Sequence, residues 1–222
     1  MTDQFNQLVQ AIMGNDAFRV GALLSENPDL VTTRDPEGRT PILLALYFRN
    51  EALATLIRER TPTPDLYEAA ALGEKEMVAE LLADEAAGAN TMAPDGFGLL
   101  GLSVYFGRVD TAQFLLEQGA NPNTSSANQF KVRPIHSAAA HLDAERSLDL
   151  VRILLEGGAD PNVTQAGGWT PLHQAAAHGR EEIAKLLLEK GASLQAKSDD
   201  GRTPLEMARA KGHKELESLL GG

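Results

Sequence analysis

A unit of about 33 residues recurs along this chain, and that recurrence limits the fold more than any composition does. "TPLHQAAAHGREEIAKLLLEKGA" (Thr170 to Ala192) is echoed by "RPIHSAAAHLDAERSLDLVRILLEGGA" (Arg133 to Ala159) and "GLLGLSVYFGRVDTAQFLLEQGA" (Gly98 to Ala120). Looser copies are "PDLYEAAALGEKEMVAELLADEAAGA" (Pro64 to Ala89), "TPILLALYFRNEALATLIRER" (Thr40 to Arg60) and "TPLEMARAKGHKELESLLGG" (Thr203 to Gly222). The proline position falls at Pro41, Asp65, Leu99, Pro134, Pro171 and Pro204, at spacings of 24, 34, 35, 37 and 33. A fixed period of this length marks stacked structural units, each unable to bury its apolar face alone.

Each part of the unit has a physical reason. The threonine of "TPLH" can cap a helix with its hydroxyl, and proline suits the first helical position, where no N–H is needed. The "AAA" that follows keeps the first helix slim. Gly73, Gly107, Gly179 and Gly212 end that helix with a residue that tolerates positive φ. The second helix sets Ile183, Leu186 and Leu187 on one face, with Glu181, Glu182 and Lys185 outside. "KGA", "GGAD" and "QGAN" stop it, and Asp95-Gly96 and Asp200-Gly201 mark tight turns before the next unit.

Taken together, "TPLH" at Thr170, "PIH" at Pro134, "TPL" at Thr203, "LLEQGANPN" at Leu115, "LLEGGADPN" at Leu154 and "DGRTPL" at Asp200 resemble the ankyrin-repeat family over nearly the whole chain. The resemblance implies an all-α solenoid of about seven stacked helix pairs with outward β-turn fingers. It implies that partners bind a concave face made by fingers and first helices. It also gives the "TPLH" histidines, His136 and His173, a structural hydrogen bond to the neighbouring turn.

One domain is expected, divided into an N-terminal capping pair (1–35), a short repeat (36–63) and a divergent repeat (64–94). Repeats at 95–130, 131–167 and 168–200 and a C-terminal capping pair (201–222) follow. The two ends carry polar outer faces, as an isolated solenoid needs for solubility. Three departures interrupt the pattern. "TPTPD" (Thr61 to Asp65) leaves no room for a finger, so the row should miss a tooth between the second and third pairs. The third pair offers Pro64, Asp65 and Tyr67 in place of Thr, Pro and His. Finally, "HLDAERSLD" (His141 to Asp149) lengthens one inter-helix turn.

Composition narrows the function. The formal charge is −11, which repels phosphate backbones, and basic residues are scattered. Neither nucleic acid nor membrane is expected as a partner. The acidity instead favours a partner with basic residues and speeds their encounter. Absence of cysteine excludes disulfides and thiolate chemistry. "MTDQFNQLVQ" lacks the basic start and apolar stretch of a signal peptide, and a monomeric cytoplasmic protein is the expectation.

The aligned positions just before the helix-ending glycine look towards the groove. They hold Tyr47 and Phe48, Tyr105 and Phe106, His141, and His178. The residue ahead of the Thr position, at the finger base, is Phe97 in one unit and Trp169 in another. These eight residues form the candidate partner-binding set, and six of them, Phe97, Tyr105, Phe106, His141, Trp169 and His178, form an aromatic band along the middle of the concave face. Large aromatics are common anchors at protein interfaces.

The histidines carry no metal or catalytic signature. His136/His141 and His173/His178 are each five residues apart, about 140° around a helix, so neither pair shares a face. No flanking carboxylate completes a ligand set, and no nucleophile elbow, phosphate loop or zincin helix is present. No cofactor is expected. The leading reading is a non-catalytic scaffold for a protein or peptide partner. The alternatives are an inhibitor or regulatory subunit of a specific enzyme, and a hydrolase using His141, His178 and Tyr105.

Overall fold

A computed structural model of the chain describes residues 3–84 and 88–221. Residues 85–87, at the end of the third repeat, and residues 1, 2 and 222 lie outside them. Fourteen α-helices among the described residues make seven pairs. These are α1 (Asp3–Met13) with α2 (Ala17–Glu26), α3 (Pro41–Tyr47) with α4 (Glu51–Arg58), and α5 (Leu66–Leu72) with α6 (Lys75–Asp84). Then come α7 (Leu99–Tyr105) with α8 (Val109–Glu117), and α9 (Pro134–Ala140) with α10 (Ala144–Glu156). The last are α11 (Pro171–Ala177) with α12 (Glu181–Glu189) and α13 (Pro204–Lys211) with α14 (Lys214–Gly221). First helices stack in sequence from α1 to α13, and second helices form the outer row.

The local signals explain where the helices start. Thr40, Thr170 and Thr203 accept the N–H of Leu43, His173 and Glu206, each with proline at the next position. In α5 the register falls one residue later than the repeat alignment has it. Asp65 is the cap, in the threonine place rather than the proline place, its carboxylate accepting from Tyr67 and Glu68, so Leu66 takes the proline place and Glu68, not Tyr67, the histidine place. Alanines at the centre of the first helices, such as Ala70, Ala139 and Ala176, have no exposed surface. Having no bulk beyond Cβ, they let neighbouring helices approach closely.

Polar side chains then fasten unit to unit. The His173 Nδ1 accepts the Thr170 N–H at 3.2 Å, so its Nε2–H donates to the Arg202 carbonyl of the next unit at 2.9 Å. His136 bonds the Trp169 carbonyl in the same way at 3.0 Å. Burial lowers the pKa of both imidazoles, that of His136 to about 4, which keeps them neutral. Asn90, Asn123 and Asn162 each donate to a glycine carbonyl one unit on (Gly119, Gly158, Gly191) and accept a backbone N–H there. Arg108 Nε reaches back to the Ala71 carbonyl at the end of α5, at 2.8 Å. Arg180 reaches back through a terminal guanidinium nitrogen to the carbonyls of His141 and Leu142, which follow α9. A cation there also meets the negative end of the helix dipole.

The fingers are small hairpins. Asp35, Ala93, Ser126, Gln165 and Ser198 each donate their N–H to the residue ahead of the next helix cap (Arg39, Phe97, Val132, Trp169, Arg202). Adjacent fingers touch through Ala127 to Gly96, Ala166 to Phe130 and Asp199 to Gly167. Between Arg60 and Leu66 the chain makes no such hairpin. The finger at 35–39 instead packs on the one at 93–97, so closely that a side chain at Gly38 would run into Pro94. The apolar core divides at the same place. Leu66, Ala69 and Ala70 pack with the C-terminal units, while Ala71 packs with the N-terminal ones.

Candidate functional site

The closed gap brings together side chains from units that are not neighbours in sequence. Tyr47 ends α3, and Tyr105 and Phe106 end α7. Helix α5 lies between them, but its Ala69, Ala70 and Ala71 raise no obstacle. The Tyr47 ring therefore lies 5.6 Å from that of Tyr105 and 5.1 Å from that of Phe106. Tyr105 meets Phe106 edge to face at 5.0 Å and Phe97 at 6.0 Å. The Tyr47 hydroxyl donates to Asp95 in the 93–97 finger at 2.8 Å, and burial and the Asp95 charge raise its pKa, which keeps it protonated. Edge-to-face pairs of this kind add roughly 1 kcal/mol each beyond area burial.

Beside these rings runs a cleft of about 460 Å³. Tyr47, Arg49, Tyr105 and Phe106 line one end, and His136, His141, Arg146 and Gln174 the other. His141 sits against Gly107, and its Nδ1 accepts the Asp143 N–H at 3.2 Å. The charges are largely matched. Arg108 holds Glu51 at 2.8 Å and Arg146 approaches Asp143 at 3.5 Å.

The eight expected residues separate into groups. Tyr47, Tyr105, Phe106 and His141 line the cleft, and Phe97 joins the ring cluster. Phe48 is 47% exposed but lies outside the cleft lining. Trp169 is half-buried against the C-terminal core, its nearest ring being His173 at 6.3 Å. His178 is exposed, bonding the Gln174 carbonyl of its own helix at 2.9 Å.

One expectation is corrected. Phe106 is not an exposed groove aromatic but part of the core at 9% exposure, because Tyr47 and Tyr105 close over it. Tyr47 is also half-buried, which leaves Tyr105, at 42%, as the ring of the cluster most open to solvent. The band along the groove is thus a compact cluster at one end of it. The sequence reading missed Arg49, which occupies the slot of the helix-ending glycine and was visible in the repeat alignment. It also missed Asp95, whose contact depends on the closed gap.

No group of three or more metal-ligating side chains occurs among the described residues. His141 lines the cleft, whereas His178 is not among its lining residues. No helix among those residues is long and apolar enough to cross a membrane.

The sequence pattern of ankyrin repeats matches residues 135–221 in three copies. The chain is also 28% identical over 191 residues to the probable 26S proteasome regulatory subunit p28 of Saccharomyces cerevisiae. That alignment covers 80% of this chain and 81% of the yeast protein.

Proposed function

We propose that this ankyrin-repeat protein is a non-catalytic scaffold that binds one protein partner in the cleft beside Tyr105, in a cytoplasmic setting. The observation that carries this reading is the ring cluster of Tyr47, Phe97, Tyr105 and Phe106 against a cleft of about 460 Å³. Tyr105 stays 42% exposed although Phe106 beside it is in the core. A half-exposed aromatic on a rigid base suits an anchor, since little side-chain freedom is lost on binding. The stacked units pre-order the backbone around it, and the net charge of −11 favours encounter with a partner that is basic overall.

A regulatory role within a larger assembly is the specific form that the likeness to the yeast proteasome subunit favours. In that form the partner is an enzyme subunit and the chain alters its assembly or activity, without chemistry of its own.

Affinity capture from the native extract tests the proposal, with wild type compared against a Tyr105→Ser variant that melts like wild type. A protein retained by wild type and lost from the variant supports the site. Equal capture by both would place recognition elsewhere.

A further inference from the structure

The turn after α3 contains a residue that the fold does not ask for. At the equivalent turn, Gly73, Gly107, Gly179 and Gly212 take positive φ, where glycine carries no steric cost. In the second pair that place is held by Arg49, at φ 57. A long side chain in this region strains the backbone, and such strain persists where something else requires the residue.

The guanidinium makes nothing of its position within the chain. Of the thirteen arginines, twelve hydrogen-bond or ion-pair with another group. Arg49 alone has no such partner among the described residues, and it is exposed. It lines the cleft with Tyr47 and Tyr105. The other charges there are matched, Glu51 by Arg108 and Asp143 by Arg146. An otherwise acidic protein therefore presents one uncompensated cation beside its aromatic cluster.

From this placement we infer that Arg49 is an anchor for a carboxylate, and that the partner segment seated against Tyr105 carries an aspartate or glutamate side chain next to an apolar one. A planar guanidinium can take a carboxylate through two parallel N–H···O bonds, the geometry that makes arginine selective for it. The lining takes residues from α3, α7, α9 and α11, so a segment laid along it can set an acidic side chain at Arg49 and an apolar one against Tyr105. The inference rests on the groove reading above. It also sets a local preference opposite to the one that the net charge sets at long range.

The test uses the full chain and a displayed library of random nonapeptides, selected on wild type. A synthetic peptide of the enriched sequence is then titrated against wild type, Arg49→Gly and Tyr105→Ser. We expect enrichment of Asp or Glu beside an apolar residue. Affinity should fall about tenfold or more in Arg49→Gly, a variant that relaxes the turn and should melt no lower than wild type. Replacing the peptide acid by its amide should cost as much on wild type and little further on Arg49→Gly. Peptides without an acid, or an affinity that ignores Arg49→Gly but falls with Tyr105→Ser, would overturn the anchor and leave the groove standing. Indifference to both variants, or no binder at all, would overturn both.

Discussion

The Tyr47 hydroxyl donates to the Asp95 carboxylate at 2.8 Å, linking the end of α3, in the second helix pair, to the finger that precedes the fourth. This contact spans the place where a finger is missing, and the ring cluster is built around it. Tyr47→Phe keeps the rings and removes only the bond to a charged acceptor. We expect it to cost about 1–2 kcal/mol, read from the urea midpoint. Tyr47→Ala should cost about 3–5 kcal/mol, because it also opens a cavity over Phe106.

Phe106 and Tyr105 are adjacent yet should behave differently. Phe106→Ala removes a ring from the core and is expected to cost about 3–5 kcal/mol. Tyr105→Ser acts on a side chain that is 42% exposed and should cost clearly less, while reducing partner binding. Thermal melts and titrations on both variants check the separation of roles.

Arg49→Gly should stabilise the protein by about 0.5–1 kcal/mol, since it relieves a positive φ at the end of α3. Loss of binding together with gain of stability is the expected result, measured by melting and peptide titration on one preparation.

Glu68 stands where other units carry the "TPLH" histidine. It is 3% exposed, with Oε2 accepting the Asp65 N–H at 2.8 Å and the Thr40 side chain beside the carboxyl. Burial first, and then the Asp65 charge, raise its pKa from 4.5 to about 7. Between those values the native state keeps a proton that the unfolded chain releases. The contribution of this group is therefore full below about pH 4.5 and is lost as pH rises through 7. Glu68→Gln should remove that decline and exceed wild type at pH 8 by about 2–3 kcal/mol, measured by denaturant unfolding across pH.

His136 works in the opposite direction. Burial lowers it from 6.5 to about 4, so its contribution is present above pH 6.5 and is lost as pH falls through 4. The stability gap between wild type and His136→Gln should narrow by about 2–3 kcal/mol between pH 7.5 and pH 4, in the same assay.

Much of the fold was legible because its signals are local. Thr170-Pro171 caps α11 as the motif implies, and His173 bonds the next unit's Arg202 carbonyl. The site was read less well because its contacts cross units. Repeat alignment finds that Tyr47 and Tyr105 occupy equivalent slots, but not that α5 is slim enough for the rings to meet, nor that Phe106 is buried beneath them. Trp169 holds the finger-base position beside the groove, yet it packs on the C-terminal core. Arg49 was passed over because a turn residue counts as loop until its φ is known.

The measurement that bears most directly on the central claim is photo-crosslinking to the captured partner, with a photo-reactive phenylalanine placed at Tyr105 in one preparation and at Glu182 on α12 in another. A crosslinked product is expected from position 105 and none from 182. A product from 182 alone would move recognition to the outer helices and contradict the claim.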